Sequence, residues 1–459
     1  MNPFYNPVFL SKILKSYLFD INRLNNYSEA KLAAFKDTQF KKMVEYAYSV
    51  PLYYDKYKSC GIHPKDISGI ADISKLPFIT KQDIQTYYPD GIISTTTSKK
   101  RFVEVSTSGT TGKSLSIFVD MVDVVMGLFG YLRTIRQYDL NWRKSKLTII
   151  GDFASHTAET GYIKKGLQSK TSSSFIFKNI QWLDTNASPI DNITAINSFN
   201  PDFIGGYVGM LAHMALLKEQ GYGQDVNPSV IACTGSVLDK NLREYIKKCF
   251  NAYVYEVYGA TETGPIAFEC KHNGYHVMSD LLHLEFLDEE NNNTVMQPGK
   301  LVVTKLFGVG TPIIRYNAIN DIVQPSEKKM CCHISGELIE KIYGRIDLSL
   351  LLADGTRLMP SAFAEIFSRL LYQLKTTKVV DTRIVQKNSS SLDVDIVIDE
   401  KQQDDVSVED IISCIQTGFK QKVGNLVSVH VQRVKQLEKQ EKRIQSFVDD
   451  TTVKTKKFI

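Results

Sequence analysis

Between Ser106 and Ser114 the chain reads STSGTTGKS, a run of small hydroxyl residues and glycines that closes on a lysine. Glycines let a backbone curl so that N–H groups converge on an anion, hydroxyls donate further hydrogen bonds, and Lys113 adds a positive charge. The chemistry suited to such a loop is the cradling of phosphate oxygens. The nucleotide loop G-x-x-x-x-G-K-[ST] does not fit, because counting back five from Gly112 places Thr107 where that pattern needs glycine. Alone, the cluster serves a plain surface loop equally well, so its meaning rests on what else the chain carries.

Two further clusters follow: VYGATETGP at Val257–Pro265 and KIYGRID at Lys341–Asp347. In this order and at this spacing, the three motifs resemble the signature of the adenylate-forming superfamily. That group comprises acyl- and aryl-CoA ligases, luciferases and nonribosomal adenylation domains. AYSVPLYYDKY (Ala47–Tyr57), ISKLPFITKQDI (Ile73–Ile84) and TPIIRY (Thr311–Tyr316) resemble the phenylacetate–CoA ligase branch, including relatives encoded with capsular-polysaccharide genes. The resemblance runs over nearly the whole chain and is weakest in the last 20 residues. It implies a large α/β domain over residues 1–344 and a small, mobile α+β domain over 345–459. The implied activity is ATP-dependent conversion of a carboxylic acid to its acyl-AMP, with coenzyme A as acceptor. An amine or hydroxyl acceptor, for instance on a surface glycan, and a non-catalytic nucleotide-binding scaffold are the alternatives.

Roles carry over position by position. Ser106, Thr107, Ser108, Gly109, Thr110, Thr111, Gly112 and Lys113 would wrap the β- and γ-phosphates. Ser236, Tyr258 and Gly259 would border the adenine, with the Tyr258 ring as a stacking face. Thr261 would bond the α-phosphate and Glu262 would coordinate Mg²⁺, a hard cation that takes oxygen ligands. The ribose acid of the family sits in R-Y-x-x-G-D, whereas this chain reads RYNAINDIV. Ungapped alignment places Asn320 there and a one-residue insertion places Asp321. Asp321 is preferred, since a carboxylate accepts two hydrogen bonds where an amide accepts poorly. Arg345 would act at the ribose or phosphate, and Asp347 matches the hinge. The family's C-terminal lysine falls on Lys442, with Lys439 as rival, and glutamate stands where glycine is expected. Phe153, Tyr207 and Gly209 flank predicted strand ends and are candidates for the acyl pocket.

Some relatives also carry a cysteine after the second motif and C-x-C before the hinge. Here Cys270, His272 and His276 follow the motif, and Cys331, Cys332 and His333 precede the hinge. Cys270, His276, Cys331 and His333 are thus a candidate tetrahedral Zn²⁺ set, against the bland reading of buried cysteines as small hydrophobes.

These residues need elements to hold them. With 459 residues, 43% apolar and 23% charged, the chain has the composition of a globular protein large enough for two domains. A net charge of +5, scattered among acids, gives no case for nucleic acid. Seven cysteines form no even disulfide framework, which suits a reducing cytoplasm. The N-terminus is too interrupted by Asn2, Pro3, Asn6, Pro7, Lys12 and Lys15 for a signal peptide, and no apolar run is long enough to span a bilayer. A homodimer is the commonest assembly expected of such a protein.

Leu32, Phe35, Phe40, Met43, Val44 and Ala47 fall at helical spacing within 28–49, and Pro51 is expected to close that helix. A short strand, Phe102–Val105, precedes the phosphate loop. Apolar runs at Leu147–Ile150, Pro201–Gly206, Ser229–Gly235 and Ala252–Gly259 read as buried strands, with helices at Leu211–Gln220 and Lys240–Phe250 between them. After Gly344 the pattern changes. Leu392–Ile398 and Leu426–Val434 alternate as half-buried antiparallel strands do, with helices at Ser361–Leu370 and Val408–Lys422.

Overall fold

The computed structural model describes residues 7–107, 115–154, 157, 159–160, 178–272, 274–294, 297–327, 332–402, 404–438, 444–446, 455 and 457–459. The strands are β1 (Val103–Ser106) and β2 (Ser116–Val119), then β3 (Leu147–Gly151), β4 (Ile180–Asp184), β5 (Phe203–Tyr207), β6 (Val230–Thr234) and β7 (Tyr253–Ala260). There follow β8 (Gly264–Glu269), β9 (Tyr275–Val277), β10 (Leu282–Leu287), β11 (Gly299–Lys305), β12 (Asp321–Pro325) and β13 (Leu338–Arg345).

An 11-stranded sheet in the order β10-β11-β12-β13-β9-β8-β7-β6-β5-β3-β4 dominates the molecule. From β4 to β7 every neighbouring pair is parallel. The continuous apolar runs foreseen in the sequence lie here, because helices cover both faces of a parallel sheet and leave no wet side. β3, β5, β6 and β7 each lie within two residues of their expected bounds, whereas β4 has no counterpart among the expected strands. The helix Lys240–Phe250 shows how locally the sequence encodes its partners. Asp239 caps it by accepting from the Asn241 and Leu242 N–H groups, and Leu242, Tyr245, Ile246 and Phe250 bury one face. Asn251, at φ 49°, ends it in the left-handed region.

From β7 to β10 the neighbours are antiparallel, and this half curls. The Tyr258 side chain at the end of β7 touches Asp321 at the start of β12, four places along the sheet. In a flat sheet, four steps of about 4.8 Å would hold them about 19 Å apart, so the contact itself reports the curl.

The helix expected over 28–49 forms as Glu29–Ala47, capped by Ser28. Pro51 does not simply stop it. It starts the next helix, Pro51–Ser59, at a first-turn position where the missing N–H costs nothing.

Beyond the Ile346–Leu348 turn the chain builds a separate core from residues such as Leu350, Phe363, Ile366, Ile415 and Phe419. Its strands are β14 (Leu350–Leu351), β15 (Thr356–Leu358), β16 (Val379–Asn388), β17 (Ser391–Ile398), β18 (Ser428–Val434), β19 (Ile444–Ser446) and β20 (Lys457–Phe458). The expected antiparallel pairing of the two alternating segments is wrong: β17 and β18 run parallel. The helix Val408–Val423 lies between them, and a helical crossover returns the chain in the same direction. The antiparallel partner of β17 is β16. The three-layer α/β body with an α+β C-terminal unit is the fold class expected from the sequence. No described helix is long and apolar enough to cross a membrane.

Candidate active site

β1 and β2 form an antiparallel hairpin whose tip is the Ser/Thr/Gly loop. Its base is pinned by side chains as well as backbone. Ser106 Oγ lies 2.7 Å from Ser116 Oγ, the Thr107 N–H donates to Leu115 O at 2.9 Å, and the Leu115 N–H donates back to Thr107 Oγ1 at 3.0 Å. Ser108, Gly109, Thr110, Thr111, Gly112 and Lys113 lie outside the described residues. Ser106 and Thr107 border a cavity of about 1280 Å³.

The opposite rim of that cavity comes from the C-terminal ends of β5, β6 and β7, the place where α/β sheets bind ligands. After β6, Gly235 adopts φ 84°, and an added Cβ would fall 2.3 Å from the Tyr207 ring. Only glycine fits that close approach, and it delivers Ser236 to the cavity wall. Near the end of β7, Gly259 lies so close to the Gly264 carbonyl that a Cβ would sit 2.8 Å from it. The tight return places Tyr258, Gly259, Thr261 and Glu262 on the wall together.

Two tyrosine–carboxylate pairs order this wall. Tyr258 donates its hydroxyl to Asp321 Oδ2, and the Tyr316 hydroxyl donates to Glu262 Oε1 at 3.0 Å. Burial pushes the Asp321 carboxyl up to about 6, opposed by the Tyr258 hydrogen bond and the Arg345 charge. Burial likewise raises the Glu262 carboxyl, and the Tyr316 hydrogen bond opposes it. Among the described residues Glu262 forms no salt bridge, leaving a half-buried carboxylate at the cavity wall with one hydroxyl donor from another side chain.

Asp321 rather than Asn320 is the acid on this wall. Asn320 instead takes φ 65°, the left-handed conformation for which glycine is expected before the acid, and asparagine is the non-glycine residue best suited to it. Its carbonyl accepts from the Ile346 N–H at 2.7 Å, joining this turn to the Ile346–Leu348 turn. Arg345 pairs across the ladder with Asp321 and lines the cavity. Its guanidinium grips Asp347 at 3.0 Å (Nε–Oδ1) and 2.6 Å (Nη2–Oδ2), and this contact raises its pKa further.

Of the three acyl-pocket candidates, Tyr207 lines the cavity. Phe153 packs edge-on against Trp182, which does line it, at 6.3 Å between ring centroids. Gly209 lies on the exposed side of the helix Val208–Glu219, off the cavity wall. Gly209 follows a strand end in sequence, but the helix begins at Val208 and turns it outward. Lys442 and Lys439 lie outside the described residues. Lys422, from the C-terminal unit, does reach the cavity, and it is paired with Glu365.

The candidate metal ligands assemble in part. Cys270, His276 and Cys332 bring their ligand atoms within 4.8 Å of one another, with Cys332 Sγ 2.9 Å from His276 Nε2. The described cysteine beside His276 is therefore Cys332. Cys331 lies outside the described residues, and His333 is exposed and not part of the trio. The spacing of two adjacent cysteines could not decide which one turns inward.

Sequence reasoning missed Tyr316 and Glu159 as cavity-lining residues. Tyr316 had a signal, since it follows Arg315 in a motif already noted. Arg315 itself holds Glu285 at 3.1 and 2.7 Å and serves the scaffold.

The fold is that of the adenylate-forming ligases. A 2-hydroxyisobutyryl-CoA ligase in the postadenylation state with R3-HIB-AMP superposes with a TM-score of 0.72 at 15% identity, covering 94% of this chain and 92% of that one. The same ligase with 2-HIB-AMP and CoA in the thioesterification state gives 0.62 at 16% identity, covering 93% and 91%. In sequence the chain resembles the phenylacetate–CoA ligase branch. It is 22% identical over 442 residues to the phenylacetate-coenzyme A ligase of Pseudomonas putida (91% of this chain, 94% of that protein). It is 23% identical over 364 residues to that of Aromatoleum evansii (76% and 78%), and 22% over 342 residues to Protein CapK of Staphylococcus aureus (72% and 71%). No protein-family model matches the chain.

Proposed function

We propose that this protein is an AMP-forming acid ligase: it activates a carboxylic acid with ATP and passes the acyl group to coenzyme A. The observation that carries the reading is the wall on which Tyr258–Asp321 and Tyr316–Glu262 face one cavity with the base of the β1–β2 hairpin. An ionised Asp321 suits two ribose hydroxyls, and the Tyr258 ring suits the adenine face. The family roles of Ser236, Gly259, Thr261 and the loop Ser106–Lys113 fit the same pose.

Glu262 fits a divalent cation. It is a half-buried oxygen donor at the cavity wall with no salt bridge of its own among the described residues, and Mg²⁺ takes few carboxylates beside phosphate oxygens. When bound with ATP, the ion would neutralise phosphate charge.

In the first half-reaction an oxygen of the substrate carboxylate attacks the α-phosphorus. The bond from that phosphorus to the bridging oxygen breaks, and pyrophosphate leaves with its electrons. The chain's residues need only align the reactants and balance charge. Lys442, or Lys439, would balance charge on the α-phosphate. In the second half-reaction the coenzyme A thiolate attacks the acyl carbon and AMP departs. Rotation of residues 345–459 about Asp347 would exchange the two arrangements.

An amine or hydroxyl acceptor differs only in this second half. Incubation with Mg·ATP and an acid, followed by mass spectrometry, tests the reading. Acyl-CoA and AMP formed only when coenzyme A is present support it. Acyl-AMP that accumulates with coenzyme A and is consumed by an amine or sugar favours the alternative. ATP and coenzyme A place such an enzyme in the cytoplasm. A homodimer is the expected assembly, which sedimentation would test. A structural Zn²⁺ on Cys270, His276 and Cys332 would tie β8 and β9 to the segment before β13.

A further inference from the structure

The end of the cavity formed by β3, β4 and β5 is built differently from the rest. Its polar residues are Asp152, Thr157 and Glu159; Asp152 accepts from the Ala154 N–H and the Asn186 amide, whereas Glu159 Oε1 accepts from the Tyr207 hydroxyl. Among the described residues Glu159 has no other hydrogen bond and no ion pair, so its Oε2 meets no described donor. Among the described residues the cations on the cavity wall are Lys81, Lys240, Lys341, Arg345 and Lys422, none of them on β3, β4 or β5. Around Glu159 the walls are aromatic: Tyr207, Tyr131 and Trp182 line this region, with Phe153 packed behind Trp182. The Tyr207 hydroxyl bonds to Glu159, and the Tyr131 phenol, raised chiefly by burial, is raised further by the Glu159 charge.

A carboxylate on a largely apolar wall costs free energy unless a donor or a cation meets it. Aromatic faces are poor partners for an anion and good ones for an ammonium. The acid to be activated brings its own carboxylate, which a second carboxylate repels. The end of the cavity is therefore complementary to a cation carried by the substrate, at the end away from the reacting carboxylate.

We propose that the substrate is an amino acid in the broad sense, a carboxylic acid bearing a protonated amine that Glu159 binds between Tyr131, Tyr207 and Trp182. This rests on the adenylation reading above and specifies its substrate class. Glu159 is a specificity residue in this scheme and takes no part in bond making.

The test is ATP–pyrophosphate exchange with the full-length chain and matched acids. The pairs are γ-aminobutyrate with pentanoate and para-aminomethylbenzoate with para-ethylbenzoate, with γ-hydroxybutyrate and phenylacetate alongside. The proposal expects kcat/KM for an amine-bearing acid to exceed that of its amine-free partner by about tenfold or more, since a site built for a donor rejects the analogue lacking it. Glu159→Gln, verified as folded by its melting temperature, is expected to shrink that ratio at least about fivefold, chiefly through the amine-bearing acid. Preference for phenylacetate, an alkyl acid or the hydroxy acid in the wild-type protein overturns the proposal and leaves adenylation standing. A ratio unchanged in Glu159→Gln also overturns it. No exchange with any acid, with ATP binding intact, removes adenylation and the proposal together.

Discussion

The Tyr258 hydroxyl donates to the Asp321 carboxylate across a curled sheet, joining the end of β7 to the start of β12. The bond holds a buried acid in place at the cavity wall. It also makes Asp321 a residue whose ionisation matters both to stability and to ligand binding.

With its pKa raised from 3.8 to about 6, Asp321 binds a proton in the folded chain at pH values where the unfolded chain has lost it. Its contribution to stability therefore declines as pH rises from 3.8 to about 6 and is constant above. The penalty is at most about 3 kcal/mol. Asp321→Asn is expected to melt no lower than wild type at pH ~8, while its ATP affinity falls at least about tenfold. In the wild-type protein ATP affinity should weaken below pH about 6, as the carboxylate protonates. Melting scans and calorimetric ATP titrations check both. A lower melting temperature with unchanged ATP affinity would contradict the ribose assignment.

Asp123 and Lys305 form a fully buried ion pair, with 3% and 2% of their side-chain surfaces exposed, that pins the helix Met121–Gln137 to β11. Removing one partner strands a charge in the core. Asp123→Ala should destabilise the protein by about 3–5 kcal/mol. Chemical denaturation would read this, and a loss below about 1 kcal/mol would show the pair to be dispensable.

Much of this architecture can be read locally. The parallel strands are uninterrupted apolar runs such as Val230–Thr234, and the helix Lys240–Phe250 carries its own cap and buried stripe. The parallel pairing of β17 with β18 is less visible, because alternation shows which face is buried and not which neighbour bonds to it. The antiparallel half depends on partners far apart in sequence, such as Ile339 beside Tyr275. At the site, residue types in order located Glu262 and Tyr258. The left-handed turn at Asn320, the approach of Cys332 to His276 and the Tyr207–Glu159 contact depend on backbone and side-chain direction, which spacing does not encode.

The metal reading predicts about one zinc per chain in protein purified without added zinc. Cys332→Ser should lose it and melt lower, and a chelator should lower the wild-type melting temperature. Full metal content in Cys332→Ser, or none in the wild-type protein, would reject the trio as ligands.

Lys442→Ala should slow acid-dependent exchange by about a hundredfold or more if this lysine balances the α-phosphate charge. Lys439→Ala should then be nearly silent. The reverse pattern would move the role to Lys439.

The central claim is adenylation, and ATP–pyrophosphate exchange over a broad panel of carboxylic acids tests it most directly. The account predicts acid-dependent exchange that falls by about a hundredfold or more in Glu262→Ala while the variant stays folded. Exchange that persists undiminished in Glu262→Ala, or its absence with every acid despite tight ATP binding, would contradict it.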